Sequence, residues 1–511
     1  MSRTARILRN IAANWLGFVI GSVVTLLLTP LVLHELGATR YGIWVLTSSI
    51  VGYYGILDLG FRAGLTQHLT RYIAIKDYRA ASAYLSSAVA AFGGLACFLA
   101  VLSVAGAFVA PHVFDIPPHI AHEAFWCILI FGLGSSVQYA LFPYAAIFPS
   151  AERFDVANYI GISTRLVTAA LLLIVLKLDY GLIGVSAATF AANFIDYVLR
   201  WQISKRLVRE VKFSRGAIAL SRLKDIFAFG MWNFLISINA YAYQHVPNII
   251  IASFMRVSAV GQYALATGLV TQISSLLSPI GQVMYPAATA MHAQDDRDGL
   301  KRLYHDGTRM MMLVMFTVVL IAFFWAPDFY RLWIGEQYLT GEPFHSVSLL
   351  LQVLLLSTIT SYAANIGIQI LIGAGRIRMM AIALICGSAL SLAISLTLVQ
   401  FYGLLGITIA VVVASTIIDL IVVPIMVQRV LGFAALEWIR YACLRPLLVA
   451  AVDVGLLSLI RLSPRPENWA DLILQGILAG AACIGSALAF GVTSDERHRF
   501  LVAPFRRRAP I

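Results

Sequence analysis

Charged residues are scarce in this sequence. Asp, Glu, Lys and Arg make up only 12% of its 511 residues, whereas a soluble globular chain carries roughly 25%. Apolar residues account for 60%, and the mean hydropathy is +0.84. This shortage of charge excludes an ordinary soluble enzyme and indicates a protein that works inside a lipid bilayer.

Cysteine and catalytic motifs are also scarce. The five cysteines stand singly in apolar segments, without C-x-x-C or metal-ligand spacing, which is typical of small packing residues. No G-x-x-x-x-G-K-[ST] loop, no H-E-x-x-H and no paired metal ligands are present. The loops are too short for a soluble catalytic domain of about 100 residues. We therefore expect no cofactor, no metal and no enzymatic activity.

Long apolar runs are abundant. A helix needs about 20 mostly apolar residues to cross a hydrocarbon core, and fourteen such runs can be counted. The first run is longer than a signal-peptide core and lacks a clear cleavage site, so we expect it to remain as a helix. The runs predict an all-α polytopic membrane protein with about fourteen transmembrane helices. They cover residues 11–34, 41–60, 83–110, 123–147, 156–176, 181–203, 226–254, 260–286, 308–330, 347–373, 379–401, 404–428, 441–460 and 470–491.

The basic residues lie mostly on one side of these helices. Of the 37 Lys and Arg residues, 30 fall in loops of one side, 6 in loops of the other, and Arg165 lies inside a helix. Cytoplasmic loops are rich in Lys and Arg, so this distribution predicts an even helix count with both termini in the cytoplasm. Because topology accounts for the net charge of +12, we expect no nucleic-acid partner.

A basic link divides the chain into related halves. We predict an N-lobe of helices 1–6 (residues 1–204), a cytoplasmic linker (205–224), a C-lobe of helices 7–12 (225–430), and helices 13 and 14 with a basic tail (431–511). Trp and Pro residues of helices 1 and 7 align at a constant offset of 217, which predicts a repeat. Repeats around a cleft are typical of secondary transporters.

Short sequence words near the N-terminus point to a family. They are Asn10-Ile-Ala-Ala-Asn14-Trp15, Thr29-Pro30, Leu36-Gly-Ala-Thr-Arg-Tyr-Gly42 and Leu57-Asp-Leu-Gly-Phe61. On these words and on the helix count, the sequence resembles the polysaccharide and O-antigen flippases of the multidrug/oligosaccharidyl-lipid/polysaccharide exporter superfamily.

The resemblance implies a fold, a substrate and a location. It implies two six-helix lobes around a central cavity that opens alternately to each side. The implied cargo is a polyprenyl-diphosphate-linked oligosaccharide, moved from the cytoplasmic to the outer leaflet for export of surface polysaccharide. The implied location is the bacterial cytoplasmic (inner) membrane, with membrane lipid and polysaccharide polymerase machinery as partners.

Polar side chains recur at helical spacing inside several apolar runs. Such a stripe indicates either a wet cavity that binds sugar hydroxyls or packing between helices, and both interpretations stay open. His245 could instead be a satisfied core histidine. The predicted substrate-binding residues of the stripes are Asn14, Asn233, Tyr241, Gln244, His245, Asn248, Gln282 and Asn365.

Ionisable residues inside membrane helices form the remaining candidates. Arg165 either faces the cavity and binds the substrate diphosphate, as a guanidinium can do with two parallel donors, or forms an ion pair with Asp196. Asp58 and Arg62, four residues apart, are either an interfacial pair or a substrate-entry contact. Asp196 and Asp419 are candidates for coupling to protons or sodium.

Two other functions fit parts of the pattern. An ion-coupled multidrug exporter of the same fold would need acidic residues facing its cavity, which Asp196 and Asp419 could supply. A membrane-embedded glycosyl or acyl transferase would need carboxylate or histidine constellations at a membrane surface, and the sequence offers none.

Overall fold

A computed structural model describes residues 3–492 except 59, 115, 283 and 341–343; side chains are described from residue 15 onward, apart from those of 229, 232, 233, 235–237, 279, 280 and 282. The described part of the chain folds into helices, turns and short loops, which confirms the predicted all-α membrane fold. The helices are α1 (Arg3–Gly52), α2 (Phe61–Ala74), α3 (Tyr78–Val113), α4 (Ala121–Ala145), α5 (Ile147–Ser150), α6 (Phe154–Lys177), α7 (Gly181–Leu207), α8 (Leu220–Phe254), α9 (Val257–Gln282), α10 (Met284–Ala293), α11 (Arg297–Ile334), α12 (Val347–Gly373), α13 (Ile377–Ile417), α14 (Val423–Leu431), α15 (Ala435–Trp438), α16 (Leu444–Ile460) and α17 (Trp469–Ser486).

Two glycines break long helices into pairs of membrane spans. Gly37 in α1 has φ 74°, and Gly403 in α13 has φ 54°, a region that residues with a Cβ rarely adopt. Ten helical stretches of the described residues are long and apolar enough to cross a membrane. The stretches containing these two glycines each hold two predicted spans, and α8 and α9 carry two more, so the structure agrees with about fourteen spans.

Several short helices, among them α2 and α10, escaped the count of apolar runs. α2 places Phe61, Leu65, Leu69 and Ile73 on one side, and Leu65 and Leu69 are fully buried. It follows a 3₁₀ turn (Tyr53–Asp58) that ends the second predicted span. α2 and α10 have 14 and 10 residues, too few to cross a bilayer, so a search for long apolar runs passes over them.

The chain forms two compact units, Met1–Ala264 and Leu265–Ile511. In the first unit, α3 packs on α4, α7 on α4 and α6, and α1 on α6 and α8. In the second, α12 lies between α11 and α13, and the hairpin of α16 and α17 packs on α11. The division into lobes at residues 204 and 225 stays a prediction.

The predicted linker is attached to α3 by serine side chains. Backbone N–H groups of the linker donate to serine hydroxyls in the first turns of α3, which orders a segment rich in Lys and Arg. The three bonds run from Lys212 to Ser82 (3.0 Å), from Ser214 to Ser86 (2.9 Å) and from Ala219 to Ser87 (3.1 Å).

Candidate functional site

One face of α8 packs against the second half of α1 and the turn that follows it. We call this contact the α1–α8 seam; its pairs are Ser49 with Asn248, Gly52 with His245, and Gly55 with Tyr241. Asn248 Nδ2 donates to Ser49 Oγ at 2.8 Å, and both residues are buried. Asn248 Oδ1 is also buried and has no hydrogen-bond partner among the described residues. The seam is thus a polar contact that contains one buried acceptor without a partner among the described residues.

Glycine makes the close approach at the seam possible. A Cβ on Gly52 would meet the imidazole of His245, and a Cβ on Gly55 would meet the ring of Tyr241. The rings of Tyr241 and His245 are stacked, with centroids 6.2 Å apart. Because the glycines carry no side chain, the two rings lie directly against the backbone of α1 and the turn after it.

The predicted polar stripe of α8 is therefore divided between two environments. Tyr241, His245 and Asn248 enter the seam, whereas Gln244 is exposed. The side chains of three further candidates, Asn14, Asn233 and Gln282, lie outside the described residues.

Arg165 lies near the middle of α6 and contacts α1. Its Nη1 donates to the backbone oxygen of Gly17 at 2.6 Å, and a Cβ on Gly21 would occupy the space of the guanidinium. The residue is exposed in the isolated chain. No ion pair of Arg165 is found among the described residues, so its positive charge is held on a helix backbone without a carboxylate.

The alternative ion pair between Arg165 and Asp196 is not present. Asp196 is buried and binds Arg200, with Nε to Oδ2 at 2.6 Å and Nη2 to Oδ1 at 3.2 Å. Thr164 Oγ1 donates to the same carboxylate at 2.9 Å. The positive-inside count places Arg200 in a cytoplasmic loop, so the sequence does not predict this pair. In the structure Arg200 belongs to α7, one helical turn after Asp196.

Asp58 and Arg62 form the predicted pair, but in a different local structure. Asp58 ends the 3₁₀ turn and Arg62 belongs to α2; the side chains meet at 3.1 Å, and Asp58 Oδ1 also accepts from the Arg62 backbone N–H at 3.2 Å. The guanidinium lies over Phe142, 4.0 Å from the ring centroid. The carboxylate therefore caps α2 while the arginine packs on α4. A role in substrate entry stays a prediction.

The second unit holds the remaining candidates on α12 and the π-helical segment after α13. Asp419 is buried and accepts from Ser361 Oγ at 2.7 Å, and no ion pair of Asp419 is found among the described residues. One turn along α12, Asn365 lies against Gly281 of α9, and its buried Oδ1 has no partner in the described part of the chain. A buried carboxylate with a single hydroxyl donor is a chemically reasonable place to bind a proton or a sodium ion.

Comparisons with known sequences place this chain in a family of polysaccharide biosynthesis proteins. A family described as "Polysaccharide biosynthesis protein" matches residues 36–343, more than half of the chain. The uncharacterized membrane protein EpsK of Bacillus subtilis (strain 168) is 22% identical over 507 residues, covering 96% of this chain and 97% of EpsK. A putative O-antigen transporter of Shigella flexneri is 22% identical over 410 residues, covering 78% of this chain and 93% of the transporter.

Two transporters of known structure share the fold of this chain. The lipid II flippase MurJ, in an inward closed conformation, matches with a TM-score of 0.69 and 14% identity, covering 97% of this chain and 100% of MurJ. An inward-facing multidrug resistance MATE family transporter of the MOP superfamily matches with a TM-score of 0.68 and 14% identity, covering 81% and 96%. At this identity the likeness shows the fold alone.

Proposed function

The chain belongs to the polysaccharide biosynthesis protein family and is a membrane transport protein, and from this premise we propose that it moves a polyprenyl-diphosphate-linked oligosaccharide from the cytoplasmic to the outer leaflet by alternating access. The proposed location is the bacterial inner membrane with both termini in the cytoplasm. The cycle requires no catalytic step, because the glycan and its lipid leave chemically unchanged.

Arg165 is the observation that supports an anionic cargo. Its guanidinium lies inside a membrane-spanning helix, without a carboxylate among the described residues, and is oriented by the backbone oxygen of Gly17. A charged side chain near the centre of a membrane helix costs about 2.5–3.5 kcal/mol on insertion scales, so it usually gains a partner or water. A diphosphate provides that partner, since a guanidinium forks onto two phosphate oxygens.

The α1–α8 seam supports a role in alternating access. Tyr241, His245 and Asn248 are closed onto α1 and the turn after it in this conformation. Across the seam they meet two glycines, the hydroxyl of Ser49 and the ring of Tyr53, whose centroid lies 5.9 Å from that of His245. We propose that the seam opens during the cycle and then exposes these residues to sugar hydroxyls. Gln244 and the cavity candidates Asn14, Asn233, Gln282 and Asn365 belong to the same proposal.

Asp419 is the favoured site of ion coupling. It has a single described donor, Ser361, and is buried on the π-helical segment between α13 and α14. Asp196 is a weaker candidate, because Arg200 already neutralises it. The same pairing weakens the multidrug-exporter alternative, which would use uncompensated carboxylates to hold cationic drugs.

Deleting the gene in its host tests the proposal directly. We expect completed polyprenyl-diphosphate-linked repeat units to accumulate, as measured by mass spectrometry of extracted lipids, while surface polysaccharide disappears. Re-expression of the wild-type gene should reverse both changes. Unchanged lipid-linked glycans and surface polymer, in a host without a paralogue, would reject the proposal and favour the multidrug exporter.

A further inference from the structure

Three arginines converge on one buried carboxylate in the second unit. Asp328 of α11 has 0% exposure and accepts from Arg461 Nη1 and from Arg465 Nε, the latter at 2.7 Å. Arg331, one turn further along α11, lies 4.0 Å from the same carboxylate. We call these four residues the arginine cluster. One negative charge faces three positive charges, so the cluster carries an excess of positive charge.

The arginine cluster is held in place by the loop between α16 and α17. Arg331 Nη2 donates to the backbone oxygen of Pro466, and Gln475 Nε2 donates to that of Pro464 at 2.9 Å. Gln475 Oε1 in turn accepts from Trp325 Nε1 at 2.8 Å. Arg331 Nε is buried without a hydrogen-bond partner in the described residues. The guanidinium groups are therefore oriented in advance, which lowers the entropic cost of binding an anion.

The surroundings of the arginine cluster match the boundary between lipid and water. α11 and α16 end here and α17 begins here, at Ile334, Ile460 and Trp469. Leu462 is 81% exposed and Trp469 43% exposed. An exposed tryptophan beside the ends of apolar helices is typical of the headgroup region.

We propose that the arginine cluster binds the phosphate of an anionic phospholipid headgroup. Arg465 is the accessible member, with 57% of its side chain exposed, while its Nε is occupied by Asp328. Its remaining N–H groups can donate to phosphate oxygens, and the excess positive charge favours a lipid with net negative charge over a zwitterionic one. This site lies in the second unit and does not depend on the identity or direction of the cargo.

Native mass spectrometry of the delipidated full-length protein tests the proposal. Phosphatidylglycerol should bind the wild-type protein more tightly than phosphatidylcholine, and Arg465→Gln should weaken phosphatidylglycerol binding about fivefold, the effect of losing one basic residue near an anionic lipid. Arg256→Gln is the matched control, because Arg256 is also an exposed arginine just after a membrane helix but lies in the other unit. It should leave the affinity unchanged.

Two further measurements keep the result decisive. The thermal unfolding midpoint of each variant in phosphatidylcholine shows whether Arg465→Gln is folded; if it is not, Arg465→Lys, which keeps the charge, should restore folding and most of the lipid preference. Equal affinity for the two lipids, or an unchanged affinity in folded Arg465→Gln, would show that the arginines only fasten the α16–α17 loop to α11. Equally tight binding of inorganic phosphate would overturn the lipid assignment.

Discussion

Arg165 is the residue on which the proposed contact with the substrate diphosphate depends. Its guanidinium donates through Nη1 to Gly17 O, and a guanidinium carries five N–H donors, so further donors exist for the proposed phosphate contact. Gly21 provides the space that the guanidinium fills. The proposed diphosphate contact therefore depends on two residues of α1 as well as on the arginine.

Replacing Arg165 should slow export by a factor that corresponds to the free energy of the proposed phosphate contact. Arg165→Ala should reduce transport about 10- to 100-fold, the range expected when one charge-assisted hydrogen-bonded contact of about 1.5–3 kcal/mol is removed. Arg165→Lys keeps the positive charge but loses the two parallel donors of the guanidinium. Its transport rate should therefore lie between those of the wild type and Arg165→Ala. Surface polysaccharide in the complemented deletion strain, normalised to the amount of protein in the membrane, measures the effect. Normal export by a well-inserted Arg165→Ala protein would remove the phosphate role.

Asp419 can be compared with a second buried aspartate of the same unit. Asp453 is also buried and also accepts from a serine hydroxyl, that of Ser486. Asp419→Asn should abolish the dependence of transport on a proton or sodium gradient, measured in proteoliposomes with each gradient imposed separately. Asp453 lies on α16, which follows the predicted C-lobe and packs on α11 and α17. Because the coupling site is proposed inside the C-lobe, Asp453→Asn should retain that dependence. If both variants respond to the gradients as the wild type does, the coupling ion binds elsewhere.

At the scale of elements, the contact between α8 and α1 covers the predicted sugar-binding residues Tyr241, His245 and Asn248. Gly52, Gly55 and Ser49 on one side face Tyr241, His245 and Asn248 on the other, and Tyr53 in the turn after α1 is the large side chain that also packs on His245. Elsewhere in the same unit the helices interlock with large apolar residues such as Phe92, Leu99 and Tyr139. The seam is therefore more polar than these apolar contacts, and its opening is the part of the proposal that a cross-link can test.

Fixing the α1–α8 seam with a disulfide should stop transport. The Ser49→Cys/Asn248→Cys protein should lose activity on oxidation and regain it on reduction, because the seam can no longer open. The matched control is Thr47→Cys, which places a thiol beside the native Cys127 of α4, at a position where the wild-type side chains are 3.6 Å apart. That cross-link joins α1 to α4 and should leave transport intact. Full activity of the oxidised Ser49/Asn248 pair, with cross-linking verified by mass spectrometry, would argue against opening at the seam.

At the scale of the whole molecule, the predicted topology assigns six basic residues to the outer side. Four of the six basic residues assigned to the outer side are held in ion pairs: Arg331, Arg461 and Arg465 on Asp328, and Arg40 on Glu123, with Nη2 to Oε1 at 2.7 Å. Loops on the outer side are poor in Lys and Arg. Pairing with a carboxylate offsets part of the free-energy cost of placing these arginines there.

The predicted topology can be tested with reporter fusions. A fluorescent protein at the C-terminus should be active and alkaline phosphatase at the same position inactive, since the tail is predicted to be cytoplasmic. A phosphatase inserted after Leu462, in the exposed loop before α17, should be active. The opposite pattern at both positions would invert the topology and with it the proposed direction of transport.

The sequence by itself determined the class of the protein and the number of its spans to good approximation. Apolar length is a property of a continuous stretch, so each of the long runs could be recognised without knowing its neighbours. The short words from Asn10 to Phe61 were enough to indicate the family, which the match over residues 36–343 confirms. The short helices α2 and α10 were missed because they do not span a bilayer.

Only the tertiary structure decided which polar residues meet. Helical spacing places Tyr241, His245 and Asn248 near one face, but it does not say that the facing residues are glycines and a serine of α1. The carboxylate of Asp328 binds two arginines that are more than 130 positions away along the chain. No local sequence pattern predicts such a contact. Partners so distant in sequence are brought together by helix packing, and packing depends on the shapes of many side chains at once.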